Sequence, residues 1–238
     1  MVGPSEARER IRENLAVLRD RVGEAALRAG RDPAAIRIQA VTKTFPRDVV
    51  EAVMAEGQAL FGENRVAEAK DKFAALPGSW ELHLIGHLQR NKARDAAAVF
   101  HWVQSIDKAE TAQALDRACM EAGRTMEILL EVNVSGEESK SGVRSRDALE
   151  PLMDSVQGLS RLHVRGLMTV GPLTTEEARI RGAFRSLRSL FDTIRDRRGL
   201  PYFDTLSMGM SSDYPIAVEE GATLLRIGTA LCGKRHVA

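Results

Sequence analysis

The sequence predicts an α/β protein: a single (β/α)8 barrel of the TIM type, with an extra N-terminal helix. Three observations carry this. Eight short apolar runs alternate with polar, helix-forming stretches, the pattern of a parallel sheet. Runs such as 126–134 are too apolar for a sheet with one wet face. The chain has 238 residues, close to the roughly 250 that eight βα units occupy.

The elements follow in order. Residues 5–29 form an amphipathic helix: Ile11, Leu15, Leu18, Val22, Ala25 and Ala26 recur at helical spacing, Ser5 can cap it, and Gly30 can end it. Its arginines are interleaved with acidic residues, which reads as a solvated face and not a nucleic-acid-reading one. Strands are expected at 36–43, 59–63, 81–86, 102–106, 126–134, 163–169, 205–208 and 224–227. Helices are expected at 47–56, 65–76, 108–123, 146–157, 175–198 and 213–220, with a weakly marked third connection at 88–99. No composition shift or linker marks a second domain, so residues 1–238 are read as one domain, with 1–30 packing across the barrel.

Composition narrows the function. Hydrophobic residues make up 44 %, enough for a sizeable core. A net charge of +1 lacks the basic footprint of bulk nucleic-acid binding. No apolar run approaches the ~20 residues that span a bilayer, and the first 20 residues do not read as a signal peptide. Cys119 and Cys232 are far apart in sequence, suggesting two reduced thiols in a cytoplasmic protein. His83 and His87 flank Gly86 without a carboxylate or cysteine at ligand spacing, so no metal is expected.

Barrel enzymes and binders place their sites where strands end. Four such places hold residues foreign to a core. Lys43 follows an apolar strand and precedes Pro46. It is either a surface lysine or an amine made nucleophilic by desolvation and neighbouring cations. Arg226 alternates with Leu225 and Ile227, which points it into the barrel, toward a structural ion pair or a ligand acceptor such as a pyridine nitrogen. The turns 207–213 and 228–230, after the seventh and eighth strands, offer small residues and hydroxyls where barrels often bind phosphate. Asn64 can cap the next helix or reach a ligand hydroxyl. The polar loop 137–140 is a solvated turn or a lid.

Seven motifs then occur in order: Val41-Thr42-Lys43, Phe61-Gly62-Glu63-Asn64, residues 84–92, residues 131–142, Gly166-Leu167-Met168, residues 206–211 and Arg226-Ile227-Gly228-Thr229. Together they resemble the pyridoxal phosphate homeostasis protein family, over nearly the whole chain. The resemblance implies a fold-type III barrel similar to the N-terminal domain of alanine racemase. It implies pyridoxal 5'-phosphate (PLP) as cofactor, held as a Schiff base on Lys43. Its phosphate would lie on Ser211, Gly228 and Thr229, its pyridine nitrogen would face Arg226, and Asn64 and Met210 would neighbour the ring. It further implies storage and delivery of the cofactor without established catalysis, with PLP-dependent apo-enzymes as recipients. Cys232 stands where the family often has an aromatic residue, and His87 where it often has a proline.

A PLP-dependent amino-acid racemase is the alternative. Against it, a cation beside the pyridine nitrogen disfavours protonation of the ring, which weakens the electron sink that transamination needs, though not racemisation. Racemisation also needs an acid/base on each face of the substrate carbon. Alanine racemase takes its second one, a tyrosine, from a separate β domain of a partner subunit. No such C-terminal domain is expected here, which also suggests a monomer. Only Tyr202 and Tyr214 are available, and both fall in connections. A Schiff-base aldolase acting on a phosphorylated sugar ranks below both, because aldolase lysines typically sit on later strands.

Overall fold

The computed structural model describes residues 4–234. Eight parallel strands close in sequence order into a barrel: β1 (Arg37–Val41), β2 (Leu60–Glu63), β3 (Glu81–Leu84), β4 (Trp102–Ile106), β5 (Met126–Glu131), β6 (Leu162–Met168), β7 (Thr205–Ser207) and β8 (Leu224–Ile227). β1 closes on β8 with Gln39 opposite Arg226. Around them run α1 (Pro4–Arg28), α2 (Arg47–Ala55), α3 (Val66–Phe73), α4 (Ala93–Val99), α5 (Ala109–Glu121), α6 (Arg146–Gln157), α7 (Glu177–Arg198), α8 (Tyr214–Glu219) and α9 (Thr229–Cys232).

Two apolar layers hold this together. The larger one, between strands and helices, includes all six apolar residues of the expected α1 stripe. Those residues seat α1 against α2, α8 and α9. The smaller lies inside the barrel, where Trp102, Leu129 and Met168 of adjacent strands meet. The barrel interior also holds polar residues, with Gln39, His83, Gln104, Ser207 and Arg226 all buried. Buried polar groups cost free energy unless they are hydrogen-bonded, and these five are bonded to one another.

Several expected boundaries move. β1 ends at Val41 and not at 43, because the Phe45 amide donates to the Thr42 carbonyl at 3.0 Å and closes a turn over Lys43 and Thr44. β5 ends at Glu131 and not at 134, because the Asn133 side chain folds the next loop around itself. Its amide nitrogen donates to the carbonyls of Glu137 and Lys140, and its oxygen accepts from Ser135 and Gly136. The weak third connection is a short 3-10 turn (Arg90–Lys92) before α4. α9 and a 3-10 turn at Pro33–Ala35 were not expected. Helix α1 begins at Pro4, ahead of Ser5, and the Ser5 side chain lies outside the described ones. Asn64 does not cap α3: Arg65 holds the N-cap position, without a side-chain bond.

Candidate functional site

The C-terminal ends of the strands bring Lys43, Asn64, Ser211, Arg226, Gly228 and Thr229 to one mouth of the barrel. Lys43 is half-buried in the turn after β1. Its neighbour Thr44 has φ +68°, a left-handed conformation rarely taken by a β-branched residue. Such strain costs on the order of 1–3 kcal/mol and persists only where the surroundings impose it.

The imposing groups come from β2 and α3. The buried Lys72 ammonium donates to the Thr42 carbonyl at 2.8 Å, to Glu63 Oε1 at 2.9 Å and to Glu68 Oε1 at 2.8 Å. That uses its three protons. Glu68 Oε1 also accepts the Thr44 amide at 2.6 Å, and Glu63 Oε1 accepts the Thr42 hydroxyl at 2.6 Å. The backbone on both sides of Lys43 is thereby pinned to one ion cluster. Burial raises the pKa of Glu63, with Thr42 and Lys72 opposing it. Burial acts the same way on Glu68, but there the bonds from Lys72 and Thr44 win and the pKa is lowered. Sequence reasoning missed this cluster. The Glu68–Lys72 spacing of i,i+4 was its one visible signal, and that spacing more often marks an exposed pair.

The turns after β7 and β8 meet through one hydroxyl. Ser211 Oγ accepts from the Gly228 amide at 3.3 Å and the Ala230 amide at 3.1 Å. Gly228 is the N-cap of α9, so these amides form the start of a helix directly after β8. Thr229 is exposed beside them and Met210 is half-buried. The Met210 amide donates to Asp213 Oδ1 at 2.6 Å, which fixes the β7 turn. Gly209 in that turn has φ +92°, and a Cβ there would lie 2.6 Å from Ala217 Cβ, so no larger residue fits.

Arg226 points into the barrel, as the alternation predicts, and is buried. Its guanidinium donates to Ser207 Oγ at 2.6 Å and to the Thr169 carbonyl at 2.5 Å. Burial lowers its pKa to about 10, with Asp213 and Glu131 opposing that. It therefore stays cationic at neutral pH. Glu131, at the end of β5, is pushed up to about 7 by burial and by the Asp107 charge, while Arg226 pulls the other way.

Asn64 is half-buried just beyond β2, and its backbone packs against Gly86, where a Cβ would sit 2.3 Å from the Asn64 carbonyl oxygen. The 135–142 loop is docked: Lys140 Nζ donates to the Gly171 carbonyl and to Glu137 Oε1, both at 2.7 Å. Tyr202 is exposed in the connection before β7, at the opposite end of the barrel. Tyr214, within the helix expected at 213–220, is buried as the first residue of α8. No cluster of metal-ligating side chains occurs among the described residues.

Comparisons with known proteins agree with this architecture. The family described as alanine racemase, N-terminal domain, matches residues 7–236. A Pseudomonas aeruginosa protein named pyridoxal phosphate homeostasis protein is 45 % identical over 228 residues, covering 94 % of this chain and 96 % of that protein. The structure of PipY from Synechococcus elongatus with PLP bound is 36 % identical, with a TM-score of 0.83, covering 94 % of this chain and all of PipY. A Clostridium difficile alanine racemase shares the fold at 14 % identity and a TM-score of 0.76; the chain covers 56 % of it. The chain belongs to the alanine racemase N-terminal domain family and, within it, to the pyridoxal phosphate homeostasis proteins.

Proposed function

We propose that this chain binds PLP on Lys43 and serves cellular PLP homeostasis by holding and releasing the cofactor, without turnover of an amino acid. When bound, the cofactor would supply an aldehyde for the Lys43 amine and a phosphate dianion. The donor set fits each part. Lys43 offers the amine. The Ser211 hydroxyl offers a donor to an anion, and the Gly228 and Ala230 amides, which donate to Ser211 Oγ at 3.3 and 3.1 Å, lie beside it. Thr229 adds a hydroxyl. Arg226, which can only donate, suits an unprotonated ring nitrogen. Asn64 and Met210 border the ring. The observation that carries the reading is the Lys43 turn, held strained by the Lys72–Glu63–Glu68 cluster at the mouth that the anion-binding turns share.

A carrier role is supported by what flanks the site. Neither tyrosine stands at the mouth as an exposed proton donor. A guanidinium beside the ring nitrogen disfavours the protonated, electron-withdrawing ring that transamination needs, though not racemisation. The proposal includes a monomer acting as one unit in the cytoplasm, with apo-enzymes as recipients. Two free, buried thiols are consistent with a reducing compartment, and no described helix is long and apolar enough to cross a membrane.

The test is PLP titration followed by absorbance, with wild type and Lys43→Ala side by side, and incubation of the loaded protein with single amino-acid enantiomers in heavy water. A Lys43-dependent chromophore without α-deuteration beyond stoichiometry is expected. Multiple-turnover exchange would instead make the protein an enzyme.

A further inference from the structure

The polar residues inside the barrel form one connected chain, and proton counting gives it a direction. It starts at Arg226, whose guanidinium can only donate. Arg226 Nη1 donates to Ser207 Oγ at 2.6 Å, so the single Ser207 proton goes to Gln104 Oε1 at 2.7 Å. This orients the Gln104 amide. Its NH2 group then faces Gln39 Oε1 at 3.2 Å and His83 Nδ1 at 2.7 Å. Gln39 is committed the same way, since its own NH2 donates to the Phe61 carbonyl at 3.0 Å. His83 Nδ1 must therefore accept, which leaves the ring proton on Nε2, bonded to Glu81 Oε1. Glu81, the first residue of β3, can only accept.

The chain thus runs from a donor-only end at the C-terminal mouth to an acceptor-only end at the opposite face. Every link is buried except Glu81. Gln104 cannot flip without setting its oxygen against Gln39 Oε1 and His83 Nδ1. His83 cannot gain a second proton without setting a donor against the Gln104 NH2. Burial also holds the His83 pKa down to about 4, although Glu81 opposes that. The His83 ring is further clamped by Trp102, stacked at 4.9 Å and 15°. Glu81 and Trp102 line a cleft of about 670 Å³ at the N-terminal end of the barrel.

We propose that His83 and Gln104 are positioning residues for Arg226: through Ser207 they set how the guanidinium meets the bound cofactor, from the far side of the barrel. This rests on the reading that Arg226 faces the cofactor ring. A buried chain of hydrogen bonds strengthens cooperatively, and an unsatisfied member costs more than the bond it lost. Removing the acceptor at His83 Nδ1 leaves a Gln104 donor unpaired and frees the amide to turn. Ser207 and Arg226 then lose their fixed partner.

The test uses the full-length protein and PLP. In the apoprotein, nitrogen NMR of the His83 ring is expected to show a neutral ring protonated on Nε2; a proton on Nδ1 would overturn the chain. In the loaded protein, His83→Leu is expected to shift the absorbance maximum and speed PLP release several-fold. His83→Asn, whose oxygen falls near the place of Nδ1, is expected to restore both. Gln104→Glu, of the same shape but without the NH2 donors, is expected to behave like His83→Leu and guards against a misfolded leucine variant. Spectra and release rates unchanged in His83→Leu and Gln104→Glu, beside a responsive Arg226→Ala, would overturn the relay alone. An unresponsive Arg226→Ala, or no adduct on Lys43 in wild type, would overturn the reading of the site and the relay with it.

Discussion

Glu68, on the first helix after β2, accepts the backbone amide of Thr44 at 2.6 Å and so holds the residue next to Lys43 at φ +68°. A residue on one βα unit thus shapes the backbone that carries the amine of another. Glu68→Gln keeps an acceptor oxygen but loses the charge that binds Lys72. The expected result is a folded protein whose PLP affinity falls several-fold, read by titration of the absorbance change.

Lys72 is the counter-charge for Glu63, and both side chains are buried, at 6 % and 0 % exposure. Lys72→Met leaves a buried carboxylate with no cation. Breaking such a pair from one side typically costs about 3–5 kcal/mol. Urea denaturation should show a loss of that order, and the double variant Glu63→Gln/Lys72→Met should recover much of it.

Ser211 joins the turns after β7 and β8 through one oxygen. Ser211→Ala should weaken PLP binding by about tenfold, the usual worth of a bond to a charged group. Pyridoxal, which lacks the phosphate, should bind the variant and the wild type alike. Equal losses for both ligands would show that the hydroxyl does not serve the phosphate.

Glu131 gives a pH signature. Its pKa is near 7 in the fold against 4.5 for the free side chain, so the folded state holds the proton more tightly. Its contribution to stability is full below pH 4.5 and is lost as the pH rises through 7. His83, at about 4 in the fold against 6.5, acts oppositely: its contribution is full above pH 6.5 and is lost as the pH falls through 4. The two partly cancel in the wild type. Glu131→Gln removes one of them, so the variant should gain stability over wild type as the pH rises, by at most roughly 3 kcal/mol above pH 7. Chemical denaturation at pH 5 and pH 8 reads the difference.

Much of the fold was legible because its signals are local. β4 and β8 match the expected bounds, being apolar runs with clear flanks. Arg226 was legible from alternation along a single strand. The turn at Lys43 was not, because a β-branched residue at positive φ goes against local preference and is imposed by α3. His83, Gln104 and Ser207 were not, because they lie on three different strands and meet only when the barrel closes. Glu81 stands two residues before His83 on the same strand face, yet an acidic residue at a strand start reads as solvated. Lys72 was not legible as buried, because its burial depends on how α3 lies over the β1 turn.

The most direct test of the central claim is to load the protein with PLP, reduce it with borohydride and map the modified peptide by mass spectrometry. The phosphopyridoxyl group is expected on Lys43 alone. A stoichiometric adduct on another lysine, or none at saturating PLP, would contradict it.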